Sequence, residues 1–170
     1  MAEPLDTAPA SFDALYRESA RDLHAYVRTL LHDEASAEDV TALAFERAYR
    51  RRKTFDIRRG SQRAWLFGIA RNAALDELRR RRRIAPLVTE LEDQHVHALD
   101  EQAEQSLRRA AVRTALDALE PRDREIVALK FHGGLSNAEL AAVIGTSESN
   151  AGTRLHRAVT KLREACHAPS

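Results

Sequence analysis

The chain has 170 residues, of which 44% are hydrophobic, only 5% are aromatic and one is a cysteine. A single cysteine excludes an internal disulfide framework and any zinc site built on several cysteines. The strong helix formers Ala, Leu, Arg and Glu dominate the composition, so we expect an all-α fold rather than a β-sandwich.

Charge is segregated along the chain, although the net charge is only +1. Residues 11–83 hold 17 basic and 11 acidic side chains, and residues 106–170 hold ten basic and seven acidic ones. Between them, residues 84–105 hold six acidic side chains and no Lys or Arg. Two basic blocks around an acidic segment indicate two surfaces that bind polyanions. The alternative is that each block forms ordinary solvated helix faces.

The chain begins with a segment, residues 1–10, that contains two prolines and predicts a loose tail. It lacks the basic-then-apolar pattern of a signal peptide, and no stretch approaches the roughly 18 apolar residues of a membrane span. We therefore expect a cytoplasmic protein without a membrane segment. Apolar residues then recur at helical spacing from Phe12 to Leu31 and predict a helix that ends near His32.

Two further helices are predicted in the first basic block. Ser36 and Asp39 resemble a capping pair, which predicts a second helix from there to about Lys53. Residues 54–61 contain a glycine and indicate a loop. A third helix begins near Gln62 and continues into five consecutive arginines. A polyanion would relieve their mutual repulsion, although a solvated helix end also explains them.

An acidic linker is predicted for residues 84–105, where Pro86 interrupts the helical pattern and periodicity is weak. The linker separates a first domain, residues 11–83, from a second domain, residues 106–166, and residues 167–170 form a short tail. In the second domain, one helical face is indicated by Leu107, Val112, Leu116 and Leu119. The next helix starts at Pro121 and ends near Phe131, before two glycines.

A helix-turn-helix is the clearest local pattern in the second domain. Ser136 and Glu139 form a capping box at the start of a short helix, and Gly145 suits a left-handed residue at its end. Ser147 can then cap a longer helix that runs to about Ala165. A short helix, a glycine-containing turn and a longer helix match the DNA-binding arrangement.

The longer helix has two distinct faces. At about 100° per residue, one apolar stripe is formed by Ala151, Leu155, Ala158 and Leu162. The opposite face and one flank are polar or cationic, with Ser149, Thr153, His156 and Thr160 opposite and Asn150, Arg157 and Lys161 on the flank. Such side chains suit base edges and phosphates, which predicts DNA binding. Helical hairpins that bind no DNA can show the same spacing, and His156 alone is compatible with a plain surface residue.

The third helix of the first domain is a second candidate DNA surface. Several polar side chains recur at helical steps and share a face: Arg71, Asn72, Asp76, Arg79 and Arg80. Guanidinium groups can fork onto phosphates, and the amide of Asn72 could read a base. For Trp65, in the same helix, we expect core packing.

The order and spacing of several motifs resemble the extracytoplasmic-function (ECF) sigma factors, which are small alternative initiation factors of bacterial RNA polymerase. The resemblance spans residues 11–166. In the first domain it rests on Ala37-Glu38-Asp39-Val40, Phe45-Glu46-Arg47-Ala48-Tyr49 and Trp65-Leu66-Phe67-Gly68-Ile69-Ala70-Arg71-Asn72. In the second it rests on Leu119-Glu120-Pro121-Arg122-Asp123-Arg124-Glu125, Glu139-Leu140-Ala141 and Arg154-Leu155-His156-Arg157-Ala158.

The resemblance implies two small helical domains, one for each half of a promoter, and partners that include the β′ and β subunits of core RNA polymerase. The polymerase would contact Asp39, Glu46, Arg47 and Arg50. The −10 element would be recognised and opened by Phe55, Arg58, Arg59, Ser61, Asn72, Asp76, Arg79 and Arg80. The −35 element would be read by Ser147, Ser149, Asn150, Thr153, Arg154, His156, Arg157 and Lys161.

The resemblance also implies a monomer when free, an anti-sigma factor as a partner, and no cofactor, metal or enzymatic activity. The acidic linker would mimic RNA in the polymerase exit path. One departure concerns Asn150-Ala151-Gly152, where the family often carries a basic residue and a β-branched pair. Gly152 costs about 1 kcal/mol relative to alanine in a helix interior, and it leaves room for a close approach of the backbone.

Two other classes compete with this interpretation. A dimeric regulator that binds a palindrome would explain the helix-turn-helix but leaves the basic third helix without a role. A metal-dependent nuclease would need convergent acids, yet Asp76 and Glu77 are adjacent on a helix and point apart. Further candidates for such a site, His95 and His97, lie in the weakly periodic linker.

Overall fold

A computed structural model describes residues 11–84 and 103–168. The first domain comprises α1 (Phe12–Leu31), α2 (Glu34–Arg50) and α3 (Gln62–Ile84), with two short 3₁₀ turns (Arg52–Thr54 and Ile57–Arg59) between α2 and α3. The second comprises α4 (Ala103–Asp117), α5 (Pro121–Phe131), α6 (Asn137–Ile144) and α7 (Glu148–His167). These two ranges contain no strand, so the all-α prediction is confirmed.

The predicted tail at residues 1–10 and most of the predicted linker lie outside the described residues, and so do His95 and His97. The prediction that the linker extends to residue 105 is wrong in its last residues. Helix α4 begins at Ala103 and contains them, because Ala, Glu and Gln are strong helix formers.

Helix α1 ends as predicted, and His32 adopts a left-handed conformation with φ 57° just beyond it. The predicted start of α2 at Ser36 is wrong. The carboxylate of Asp33 is the cap and accepts a hydrogen bond from the Ser36 backbone N–H at 3.0 Å, so the helix begins at Glu34. The Ser36 hydroxyl donates to the same carboxylate and therefore supports the cap. Helix α2 also ends at Arg50, before the predicted Lys53.

The core of the first domain forms where α1, α2 and α3 pack together. Its largest fully buried side chains come from α1 and α3: Leu23, Tyr26, Val27, Leu31, Leu66 and Phe67. Small residues of α2, among them Ala37, Ala44 and Ala48, are completely buried and let the helices approach closely. Helix α3 is thereby fixed along most of its length, with its polar face outward.

The core of the second domain lies between α5, α6 and α7, where Ile126, Leu129 and Leu140 are buried. The predicted apolar face of α4 forms only in part. Leu119, just beyond the helix, is buried, but Leu107 and Val112 are 70% and 45% exposed. The helix forms as the periodicity predicts, but the first half of α4 packs against little of the described chain.

The two domains pack against each other, α1 on α5 and α3 on α6, and their buried side chains form one continuous cluster. None of the helices in the described part of the chain is long and apolar enough to cross a membrane.

Candidate nucleic-acid interfaces

The helix-turn-helix forms as the sequence predicts. The Ser136 hydroxyl accepts the Glu139 backbone N–H at 3.2 Å, and the Glu139 carboxylate accepts the Ser136 N–H at 3.3 Å, which completes the capping box. Gly145 ends α6 in a left-handed conformation, φ 73° and ψ 45°. Ser147 caps α7 by accepting the Asn150 N–H at 3.1 Å. These local bonds set where α6 and α7 begin and end, and the two helices pack against each other.

Helix α7 presents the predicted polar face to solvent. Ala151 and Ala158 are completely buried, whereas the opposite side chains Ser149, Thr153, His156 and Thr160 are exposed. Of the other predicted −35 residues, Asn150 and Arg157 are exposed and Arg154 is half-buried. The hydroxyl of Ser147 is occupied by its capping bond, so this residue positions the helix N-terminus.

One cation on the flank of α7 already has a partner. The Lys161 ammonium lies 2.6 Å from the carboxylate of Asp123 on α5, and this carboxylate raises the pKa of Lys161. A phosphate contact by Lys161 would therefore have to replace an existing ion pair. Arg157 makes no ion pair within the described residues and is the freer of the two cations.

The loop between α2 and α3 forms one wall of a cleft. The Phe55 ring packs on the Trp65 ring with centroids 5.5 Å apart. Trp65 is partly buried: it packs against the core, as expected, and also lines the cleft. Gly60 has a φ of 142°, which strongly favours glycine. The other wall includes Asn72 of α3 and Val143 of α6, so the second domain borders this cleft.

The polar face of α3 is a network of ion pairs. Arg79 lies 3.1 Å from Asp76, which also lies 3.9 Å from Arg47 of α2. Asp76 therefore joins a predicted polymerase contact to a predicted −10 contact. Arg80 pairs with Glu77 at 2.7 Å, and this hydrogen bond lowers the pKa of Glu77.

The arginine run at the end of α3 is partly structural. Arg81 donates to the carbonyl oxygen of Leu31 at 2.6 Å and lies 3.7 Å from the Asp33 carboxylate, which ties α3 to the junction of α1 and α2. Arg82 and Arg83 are exposed and make no ion pair within the described ranges. These two are the members of the run that remain available to a polyanion.

An aromatic cluster lies beside the predicted polymerase contacts of α2 and was not predicted as a site. Phe12 and Tyr16 of α1 meet Phe45 and Tyr49 of α2 with ring centroids 4.7–6.3 Å apart. Tyr16 and Tyr49 are each half exposed, and the Arg52 guanidinium lies 4.0 Å from the Tyr49 ring centroid. Aromatic residues four apart on each helix were the available signal. Nearby, Glu46 pairs with Arg50 at 2.7 Å, and Asp39 is exposed.

Contacts between the two domains were also missed. The Arg63 guanidinium donates to the carbonyl oxygens of His132 at 2.9 Å and Gly133 at 2.5 Å, and it lies 2.7 Å from the Asp22 carboxylate. The Ser61 hydroxyl donates to the Glu139 carboxylate at 2.5 Å. Burial raises the pKa of Glu139, but hydrogen bonds from Ser61 and Ser136 outweigh burial, so the net pKa is lowered.

One group of potential metal ligands occurs among the described residues. Ligand atoms of His24, Glu34 and Glu38 lie within 4.8 Å of one another. Glu34 already lies 2.9 Å from the Arg28 guanidinium and 3.1 Å from the His24 ring. These contacts within the first domain already engage the Glu34 carboxylate.

The fold and its two polar surfaces define a two-domain, α-helical transcription protein with a helix-turn-helix. The family model for Sigma-70 region 2 matches residues 15–84, and the model for Sigma-70, region 4 matches residues 109–162. The chain belongs to the ECF RNA polymerase sigma factors.

Curated relatives and solved structures agree with this membership. The chain is 33% identical over 152 residues to the ECF RNA polymerase sigma factor SigL of Mycobacterium tuberculosis, covering 88% of this chain and 85% of SigL. It is 34% identical over 155 residues to BldN of Streptomyces coelicolor, covering 89% of this chain, and spans only 59% of that longer relative. Among structures, CnrH in complex with the cytosolic domain of CnrY is 28% identical, with a TM-score of 0.68 over 94% of this chain and 89% of that one. The sigma factor RpoE bound to the anti-sigma factor NepR, from Bartonella quintana, shares the fold with a TM-score of 0.74 at 23% identity, over 94% of this chain and 98% of that one.

Proposed function

We propose that this chain is an alternative sigma factor that binds core RNA polymerase and directs transcription from specific promoters, acting in the cytoplasm as a regulator and not as an enzyme. The observation that carries the proposal is the pairing of two polar, cationic surfaces on separate domains of a member of this family. One is the exposed face of α7, and the other is α3 with the loop before it. The face of α7 would read the −35 element in duplex DNA. Helix α3 and the loop before it would read unstacked bases of the −10 element.

In this structure the two domains pack against each other, which we call the closed arrangement. This arrangement has a consequence for promoter binding. The elements named −35 and −10 lie about 25 base pairs apart, or about 85 Å along B-form DNA. The loop that carries Ser61 touches α6, which packs beside α7, and packed helices lie only about 8–10 Å apart. The two surfaces are therefore too close to reach both elements at once. The domains have to separate when the polymerase and promoter are bound.

An anti-sigma factor is the partner we propose for the closed state. The structures of RpoE with NepR and of CnrH with the cytosolic domain of CnrY are complexes of this kind of fold with a second protein. A partner that contacts both domains together would favour their closed arrangement over the separated one, because ligands stabilise the state that they bind. The bound partner would cover the predicted polymerase contacts Asp39, Glu46, Arg47 and Arg50. Its release would free these residues for the polymerase.

The experiment that tests the function is transcription in vitro with purified core polymerase and a promoter library. We expect initiation only when the chain is added, from templates that share two sequence elements at a fixed spacing. Gel filtration adds an independent comparison, because a sigma factor should be monomeric and need the core enzyme for strong binding. A stable dimer that binds a palindrome without polymerase would contradict the proposal and favour the dimeric regulator.

A further inference from the structure

A shallow cleft lies on one side of the N-terminal half of α7, next to the predicted DNA-reading face. It is lined by Asn137, Glu148, Ser149, Gly152, Thr153 and His156. Only Ser149, Thr153 and His156 of this set were predicted to contact DNA from the sequence. The cleft is open to solvent and extends the exposed polar face of α7 toward the start of α6.

Gly152 creates the cleft. A Cβ atom at this position would lie 3.4 Å from the Nδ2 atom of Asn137, with no other atom within 4 Å outside its own helix backbone and immediate neighbours. The Asn137 side chain therefore packs across the gap that the missing side chain leaves. An amide from the first helix of the motif reaches the surface of the recognition helix at this point. A long basic side chain in place of Gly152 would occupy the same space.

The chemistry of the cleft disfavours a phosphate. Its six lining residues include no Lys or Arg but do include the Glu148 carboxylate, which is exposed and makes no ion pair within the described part of the chain. A carboxylate repels phosphate oxygens, whereas it accepts hydrogen bonds from an exocyclic amino group. In the major groove such groups are N4 of cytosine and N6 of adenine.

We propose that this cleft selects a −35 base that presents an amino group in the major groove, with Glu148 as the acceptor and Asn137 beside it. The proposal rests on the proposed function, since it assigns a base preference to the same helix-turn-helix. The simpler alternative is that Glu148 only stabilises the positive end of the α7 dipole. The two roles differ in what happens when the carboxylate is replaced by a side chain that cannot accept a hydrogen bond.

The test uses full-length protein in holoenzyme with core polymerase, and promoters randomised in the −35 element. For Glu148→Ala, which removes the acceptor, we expect about tenfold less discrimination at one position, for the amino-bearing base over the others, because one good side-chain contact supplies roughly that factor. Glu164→Ala is the matched control, since Glu164 is an exposed carboxylate on the same helix outside the cleft. A uniform rise in affinity for all −35 sequences would show a charge effect alone and overturn the proposal.

Gly152→Ala provides a variant that keeps the fold. Its methyl group meets Asn137 at ordinary contact distance, and alanine stabilises a helix interior relative to glycine. We expect Gly152→Ala to narrow the cleft and weaken the same base preference. An unchanged preference in both Glu148→Ala and Gly152→Ala would overturn the proposal.

Single promoters that carry cytosine, adenine, guanine or thymine at the selected position then separate the two amino-bearing bases. Loss of discrimination on Glu148→Ala for cytosine or for adenine identifies the base that is read, and loss for neither overturns the proposal. Failure of the broader function would look different, since no −35 sequence would then be enriched even by the unaltered protein.

Discussion

Arg71 on α3 and Glu125 on α5 form an ion pair that joins the two domains. Their side chains are 21% and 11% exposed, so both charges are largely removed from water. The pair also borders Tyr26, whose pKa is raised well above its ordinary value by burial and further by the Glu125 charge. A buried pair contributes little net stability, but loss of one partner leaves an uncompensated charge. Arg71 therefore favours the closed arrangement chiefly because Glu125 would otherwise be buried alone.

The first prediction concerns domain separation. Arg71→Ala should shift the free chain toward separated domains, because Glu125 regains water when α5 leaves α3. Small-angle X-ray scattering should show a radius of gyration that increases from the roughly 15 Å expected of a compact chain of this length. The charge-reversed pair Arg71→Glu with Glu125→Arg should restore the compact value. An unchanged radius in Arg71→Ala would mean that Arg63 and Ser61 hold the domains together without this pair.

The second prediction concerns phosphate contacts on α7. For promoter binding by the holoenzyme, the logarithm of the binding constant falls linearly with the logarithm of the salt concentration. Arg157→Ala should make this fall less steep, by about one in the magnitude of the slope, because one phosphate contact is lost. Lys161→Ala should lower it less, since Lys161 is already paired with Asp123. Asp123→Asn should free Lys161 and steepen the slope.

The control for these variants is Arg163→Ala, an exposed cation on another side of the same helix. It should leave the slope unchanged. Equal reductions for Arg157→Ala and Arg163→Ala would indicate a general effect of charge and would remove Arg157 from the interface.

The helix-turn-helix could be predicted from sequence because its signals are local. Ser136, Gly145 and Ser147 each act within a few residues of their own position, through a cap or a left-handed turn. The same reasoning failed at Ser36, because Asp33 lies close by and a carboxylate is an equally good cap. Local patterns therefore predict the elements well and their first residues less well.

The contacts between the domains could not be predicted in this way. Arg63 and His132 are 69 residues apart in sequence, and nothing near either residue indicates the other. An arginine in a basic helix predicts a phosphate contact equally well, and only the three-dimensional contacts of Arg63 with the turn after α5 and with Asp22 separate these roles. The cleft at Gly152 is a similar case. The sequence shows that this position has no side chain, but only the structure shows that Asn137 lies beside it.

The third prediction concerns the cap of α2. Asp33→Ala should lower the free energy of unfolding by about 1 kcal/mol, the usual cost of a lost N-cap. Ser36→Ala should cost less, because the Ser36 backbone N–H can still donate to Asp33. Denaturant unfolding of both variants measures the difference. A larger decrease in the free energy of unfolding for Ser36→Ala than for Asp33→Ala would mean that Ser36, and not Asp33, is the cap of α2.

The fourth prediction concerns the −10 loop. Exchange of residues 54–61 for the loop of another family member should change the preferred −10 sequence, since Phe55 and Trp65 line the cleft there. The −35 preference should stay the same, because α7 is not altered. Selection from a promoter library randomised in both elements measures the two preferences together. A preserved −10 preference would place base capture elsewhere on α3.

The fifth prediction concerns the pH dependence of the free energy of unfolding. Burial lowers the pKa of His132 below its ordinary value of 6.5, and the nearby Asp22 charge opposes this only in part. The unfolded chain therefore binds a proton more readily at this position than the folded chain does. The resulting contribution is fully present above about pH 6.5 and is lost as the pH falls toward the lowered pKa.

His132→Gln separates this effect from those of the other histidines. His24 and His32, which lie beside Glu34 and Asp117, are present in both proteins, so a difference between the two curves belongs to His132. We expect the free energy of unfolding to fall more steeply between pH 7.5 and pH 5.5 in the unaltered protein than in His132→Gln. Parallel curves would mean that the His132 ring stays solvated in solution.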